Sequence, residues 1–344
     1  MFARLTNKIG MRLAINGFGR IGRTFFRQVF GAADIQIVAV NDLGDVDNLA
    51  YLLRRDTVYG EYEKPVEFRR GQLVVDSQIV FVYNEKDPAK LPWKDLNIDV
   101  VVESSGVFAS YQKSEAHLTA GAKRVVITAP ADAETPHLLP GANSEQFKKV
   151  LSKITSDASC TTNAAVPVLN ILQESIGVKK AMLNTVHAYT ATQGLIDGPA
   201  KKDFLRGRAA AQNIVPSHTG AADAVILSQP WLKGSFEAVA IRVPVITGSL
   251  ADLTCVVGRK TDVDEVNNVL RKAAKHPKWQ GIFTVSDEPL VSSDIIKNPH
   301  ASIADLTHTK VVGGDMVKVL AWYDNEWGYC ASLLKHVLNL KQLL

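Results

Sequence analysis

The 344-residue sequence predicts an α/β fold: a doubly wound parallel sheet in the first half, then an α+β unit with a mainly antiparallel sheet. Three observations predict it. Short apolar runs alternate with helical spacing up to about residue 158, as strands buried on both faces and joined by crossover helices require. A glycine-rich turn follows the first of those runs. Longer strand candidates separated by long loops then take over.

Leu13–Ile15, Ile35–Val40, Val100–Val102 and Val125–Ile127 are the compact, β-branched runs. Between the first two, Ile21, Phe25, Phe26 and Val29 fall on one face of a helix over Gly19–Phe30. Past residue 158 a helix is expected over Thr161–Ser175, with Val166, Leu169, Leu172 and Ile176 on one side. Strands follow over Ala181–His187, Glu237–Val243 and Ser249–Val257. The stretch Thr190–Ser217 is too long for a plain connection, which marks it as functional. The units are expected at 1–158 and 159–324, with a helix over about 325–344 returning to the first.

Gly17-Phe18-Gly19-Arg20-Ile21-Gly22 sits between the first strand and its helix. Gly17 makes the tight turn, Gly19 admits a pyrophosphate to the backbone, and Gly22 lets helix and strand pack closely. The helix N-terminus offers N–H groups and a positive dipole end to phosphates. The second strand ends at Asp42, twenty residues past Gly22, where a carboxylate accepts from ribose hydroxyls and repels a 2′-phosphate. The sequence therefore predicts a Rossmann-type NAD site. A helix-capping or turn role for Asp42 before Val46 stays open.

Composition excludes several classes. Hydrophobic content of 46% and charged content of 22% are globular values. The net charge of +4 comes without a basic run, so no specific nucleic-acid partner is expected. No window reaches the length of a membrane span, and residues 1–10 lack a signal peptide's apolar stretch, with Met11 an alternative start. Three widely spaced cysteines, Cys160, Cys255 and Cys330, give neither a disulfide framework nor a zinc site and suit a reducing, cytoplasmic setting.

Cys160 opens the second predicted helix, where the dipole should lower its thiol below the free value of about 8.5. Polar neighbours crowd it, so it reads as a nucleophile or, equally, as a buried bystander. His187, ending a strand, reads as its base or as a core histidine.

Ser159-Cys160-Thr161-Thr162-Asn163 resembles the active-site signature of glyceraldehyde-3-phosphate dehydrogenases. Residues 14–23, 185–193, 208–216 and 322–329 resemble further motifs of that family in the same order, from residue 11 to the C-terminus. The resemblance implies that Cys160 attacks the aldehyde of glyceraldehyde 3-phosphate, that hydride passes to NAD, and that inorganic phosphate releases the acyl group from a thioester. His187 serves as base, with the Cys160 N–H helping at the oxyanion. The substrate phosphate maps onto Thr190, Thr192 and Arg242. Inorganic phosphate maps onto Ser159, Thr161, Thr219, Gly220 and Arg206, although Arg206 without the family reads as a solvated loop residue. By the same resemblance, Arg20 and Ile21 are expected to supply backbone contacts to the pyrophosphate, Thr128 to lie near the nicotinamide, Asn325 to hold the carboxamide, and Lys86, which matches only loosely, to sit near the adenine. Gly198-Pro199 and Leu43 resemble the NAD-preferring members. Many members carry a second cysteine where this chain has Ala164, so no local disulfide with Cys160 can form. The resemblance also implies a homotetramer.

Two other readings remain. A sister erythrose-4-phosphate dehydrogenase shares fold and thiol, but Ala188–Gln193 resembles the glyceraldehyde-3-phosphate type. A non-catalytic dinucleotide-binding protein would not require Cys160, His187, Arg242 and Asn325 together.

Overall fold

A computed structural model of the chain describes residues 10–69, 71–200 and 203–344. The unpatterned segment ahead of Met11 falls outside those residues up to position 9.

The first sheet has eight strands in the order Ile154–Ser156, Arg124–Ile127, Val100–Glu103, Met11–Asn16, Ile35–Asn41, Gln78–Tyr83, Gln72–Val75, Val66–Arg69. The first six run parallel. The last two extend one edge as antiparallel ribbons. Val100–Glu103 and Arg124–Ile127 are buried along their whole length, which is why they read as unbroken apolar runs. The edge ribbons carry charged and exposed positions and offered no such signal. From Met11–Asn16 the chain pairs Ile35–Asn41 on one side and later Val100–Glu103 on the other. The carboxyl ends of these strands therefore form the crevice where doubly wound sheets bind ligands.

The second sheet has seven strands, ordered Val215–Ser217, Phe236–Val243, Val178–Ala188, Ser249–Val257, Met316–Tyr323, Ser302–Val312, Phe283–Ser286. Two of its pairings are parallel and the rest antiparallel. Ser249–Val257 is buried at every second position, so one face carries the core and the other looks outward. The outward face exposes Met182, Val239 and Met316.

The helix Cys160–Ser175 lies between the layers. The sequence assigns it one apolar face, but it is buried continuously from Thr161 to Leu172. The sheet flanks it on one side, and the helices Ala221–Ser228, Val263–Ala274 and Trp327–Leu340 pack around the others. The last of these returns to the first unit. Cys330, Leu333, Val337 and Leu340 join the core that holds Phe25, Phe26 and Val29, and Gln28 Nε2 donates to the Trp327 carbonyl at 2.9 Å. Cys255 and Cys330 are both core side chains.

The returning helix also clamps the entrance of the central one. Ser332 Oγ donates to Asn163 Oδ1 at 2.8 Å, and Asn163 Nδ2 donates to the Asp157 carbonyl at 2.8 Å. His336 Nδ1 lies 3.1 Å from Asp157 Oδ1, and its Nε2 lies 2.9 Å from Thr155 Oγ1. Asp157 is wholly buried, and its Oδ2 has no partner among the described residues. Burial pushes its carboxyl up to about 6 from 3.8, against the pull of His336. A raised carboxyl pKa gives stability that is complete below the unfolded value and is lost as pH rises to the folded one. Asp157→Asn, which removes the charge and keeps the acceptor, should therefore stabilise the protein by up to about 3 kcal/mol above pH 6. The gain should vanish towards pH 4; urea unfolding at pH 4 and pH 8 measures it.

Candidate active site

Gly17 has a φ of +92°, and a Cβ there would stand 2.4 Å from the Ser105 nitrogen. At Gly22 a Cβ would stand 2.2 Å from the Gly17 carbonyl oxygen. At Gly19 it would meet no protein atom within 4 Å. Two glycines are thus required by the fold, and the third leaves open space at the start of the helix Arg20–Val29. That helix has no side-chain cap, so its first N–H groups stay available to an anion. The arrangement fits a dinucleotide pyrophosphate beside Arg20 and Ile21. The Arg20 side chain turns aside to ion pairs with Asp56 and Glu326.

Asp42 accepts from the Phe18 N–H at 2.6 Å and the Gly44 N–H at 2.7 Å. Each oxygen keeps a second lone pair for a ribose hydroxyl. Asp42 does make a local turn, but the cap of the next helix, Val46–Arg54, is Asp45. Asn84 Nδ2 donates to the Asp42 carbonyl, and this brings the loop with exposed Lys86 to the same crevice end. Thr128 ends the strand Arg124–Ile127, with its N–H and hydroxyl both on the Glu103 carbonyl. Asn325 is buried, and its Oδ1 accepts from Gly248 N–H at 3.1 Å and Ser249 Oγ at 3.0 Å. With the oxygen committed, Nδ2 is the group left to donate to a carboxamide.

At the other side of the crevice, Cys160 begins its helix. The preceding Ala158 holds a left-handed φ of +53°, fixed by a bond from its N–H to Ser156 Oγ. Ser159 caps the helix through Oγ, which accepts from Thr162 N–H at 3.1 Å. Half-buried Cys160 touches the cores of both layers. Its Sγ stands 3.4 Å from His187 Nε2.

The strand carrying His187 pairs in parallel with the strand carrying Arg242, and the two residues are register partners. Arg242 Nη1 consequently reaches His187 Nδ1 at 2.7 Å and the Ala188 carbonyl at 2.9 Å. His187 Nδ1 is also 2.6 Å from that carbonyl. Burial, with Arg242 adding to it, pushes His187 down to about 3. Burial pushes the Cys160 thiol up, which corrects the sequence expectation of a lowered value. Arg242, the Thr161 hydroxyl and the N–H groups of Thr161 and Cys160 pull the other way but do not overcome it. Sequence shows the helix start, not how deeply the thiol is enclosed.

The residues expected to form two anion pockets are less separate than the sequence suggests. Thr190 and Thr192 hydroxyls lie 2.9 Å apart, and Arg206 Nη1 donates to Thr192 at 3.3 Å while Nη2 donates to the His218 carbonyl. Arg206 thus bridges the Thr190–Thr192 turn and the approach to Thr219 and Gly220, which start the helix Ala221–Ser228. Thr192 and Arg206 line a cavity of about 710 Å³. Arg208, by contrast, pairs with Asp197 on the surface. Thr161 Oγ1 is buried at 2.9 Å from Tyr323 Oη, which also meets Thr185 at 2.6 Å. The Tyr323 ring stands edge-on to His187. Sequence reading gave Tyr323 no role. The inward positions Val317, Val319 and Ala321 recur at every second residue and lead to it.

A dinucleotide-type sheet joined to a second sheet that carries a thiol beside an imidazole is the arrangement expected of a nucleotide-dependent dehydrogenase with a cysteine at its site. Comparison with known proteins narrows it. Residues 11–111 match the family described as "Glyceraldehyde 3-phosphate dehydrogenase, NAD binding domain", and residues 159–325 match its C-terminal domain. The glyceraldehyde-3-phosphate dehydrogenase of Thermotoga maritima is 49% identical over 92% of this chain and 95% of that protein. That of Borreliella burgdorferi is 47% identical over 94% and 98%, and glyceraldehyde-3-phosphate dehydrogenase 2 of Streptomyces avermitilis is 44% identical over 94% and 96%. The chain belongs to the glyceraldehyde-3-phosphate dehydrogenase family.

Two substitutions separate the glycine roles. Gly19→Ala should fold with unchanged stability yet weaken NAD binding. Gly22→Ala should lose about 1–3 kcal/mol or more of stability to the clash with Gly17; thermal unfolding and NAD titration distinguish them. His187→Gln should lower kcat by about 10²–10⁴-fold. Steady-state kinetics of the purified variant measures the loss.

Proposed function

We propose that the chain oxidises glyceraldehyde 3-phosphate to 1,3-bisphosphoglycerate in glycolysis and gluconeogenesis, with Cys160 as nucleophile and His187 as base. The observation that carries the residue assignment is the 3.4 Å approach of Cys160 Sγ to His187 Nε2 at a helix N-terminus. Burial leaves the pair as neutral thiol and imidazole, so the thiolate is made by proton transfer to Nε2 when the aldehyde arrives. Arg242 can only donate, so against His187 Nδ1 it requires a lone pair there. A substrate phosphate on Arg242, Thr190 and Thr192 draws the guanidinium off. Nδ1 then donates to the Ala188 carbonyl and Nε2 becomes the acceptor facing the thiol.

Sγ bonds to the aldehyde carbon, and the oxygen takes up negative charge beside the Cys160 N–H and protonated His187. That oxygen takes back the proton, giving a thiohemiacetal. Bound NAD supplies the hydride acceptor. His187 removes the hydroxyl proton and leaves a thioester on Cys160. Inorganic phosphate, held by Arg206, Thr219, Gly220, Ser159 and the turn at Thr161, attacks the acyl carbon and expels the thiolate. Asn325 and Thr128 orient the nicotinamide end, and Gly17, Gly19, Gly22, Asp42 and Lys86 hold the rest of the dinucleotide.

A homotetramer is supported by the outward sheet face, with Met182 60% exposed, and by Phe204, 85% exposed in the long loop. A cytoplasmic location accords with three unpaired cysteines; no helix among the described residues is long and apolar enough to cross a membrane.

Stoichiometric iodoacetamide labelling of Cys160 should abolish phosphate-dependent NADH formation from glyceraldehyde 3-phosphate. Activity that survives complete labelling would remove Cys160 from the chemistry.

A further inference from the structure

Beneath the dinucleotide crevice lies a buried carboxylate that the chemistry above does not use. Glu103 is 2% exposed. Its Oε1 accepts from the Ser105 N–H at 2.8 Å and the Ser105 hydroxyl at 2.5 Å. Its Oε2 accepts from Asn16 Nδ2 at 2.5 Å and faces His117 Nε2 at 2.9 Å. Trp93 Nε1 stands 3.1 Å from His117 Nδ1. An indole N–H can only donate, so Nδ1 carries a lone pair and the imidazole proton lies on Nε2, towards Glu103.

From there the bonds reach the turns beside Gly17, Lys86 and Thr128. Asn16 Oδ1 accepts from Asn41 Nδ2, which also donates to the Glu85 carbonyl. Asn16 immediately precedes Gly17, and Glu85 immediately precedes Lys86. The Glu103 carbonyl takes both donors of Thr128. Gly17 and Ser105 already touch so closely that a single Cβ would not fit between them. A displacement of Ser105 therefore moves the glycine turn with it.

We propose that Glu103 is a positioning residue for the dinucleotide: one buried carboxylate sets the Gly17 turn and the Ser105 turn in a single geometry. Its hydrogen-bond shell is completed by His117, whose tautomer Trp93 fixes. The proposal rests on the reading of the glycine turn as an NAD site. A carboxylate is suited to the task because it accepts from four donors on three chain segments and carries no donor of its own. An amide in its place must turn an NH₂ towards two of those donors.

The test uses the full-length enzyme, with NAD titration, steady-state kinetics and thermal unfolding. Glu103→Gln should raise both Kd and KM for NAD by about ten- to a hundredfold while kcat at saturating NAD stays within about threefold. KM for the aldehyde should not move. His117→Leu should weaken NAD in the same way, and His117→Gln, which can donate to Glu103 and accept from Trp93, should restore it. A folded Glu103→Gln enzyme with native NAD affinity overturns the proposal. So does a parallel loss of kcat and aldehyde affinity, which would mark a general structural role. If Glu103→Gln does not fold, the two His117 variants decide: weakening by Leu with rescue by Gln supports the role, and native affinity in the Leu variant, or failure of both to fold, overturns it. A wild-type chain that binds no NAD would instead sink the functional reading itself.

Discussion

The approach of the Cys160 sulfur to His187 Nε2 holds only while two separately built layers keep one relation. The sulfur is fixed by a helix start that belongs to both cores, and the imidazole by the end of a strand in the second sheet. Helix and sheet are pressed together along nearly the whole helix, so any slip of one against the other opens core contacts before it opens the pair. Interiors packed at crystal density resist such slips. The precision of the site thus comes from the size of the core behind it, and the left-handed Ala158 is the local distortion that this core sustains.

Charge at the site is arranged by enclosure as much as by partners. Arg242 is drawn to His187 by strand register and brings a fixed positive charge within reach of a thiol and an imidazole that burial keeps neutral. In the proposed reaction such a cation has two uses in turn: it meets the arriving anion, and its departure from Nδ1 changes which imidazole nitrogen can accept. Substrate binding and base activation are, on that proposal, one event. Arg206, spanning Thr192 and the approach to Thr219, ties the residues proposed for the two anions together in the same way.

What was legible in the sequence follows a physical boundary. The glycine turn could be read because each glycine answers a local need, and the structure separates those needs as the motif suggests. The buried parallel strands could be read because burial on both faces leaves no polar alternation. Cys160 and His187 were legible as a pair only through resemblance, since the residues that join them are distant in sequence. Arg242 lies beside His187 because two strands pair in parallel, a choice no local pattern encodes. The edge ribbons, the all-round burial of the central helix, Tyr323 and the Glu103–His117 chain were missed for a related reason. Each depends on what packs against it, and so does the raised thiol pKa.

The returning helix Trp327–Leu340 has a consequence for how the molecule is made. It supplies Leu333, Val337 and Leu340 to the core under the glycine turn, and Ser332 and His336 to the entrance of the helix Cys160–Ser175. Residues 11–156 emerge from the ribosome long before the helix that walls them, so neither the core under Gly17 nor the start of the Cys160 helix is finished until Trp327–Leu340 has emerged and folded back. Loss of that one helix would open both places at once.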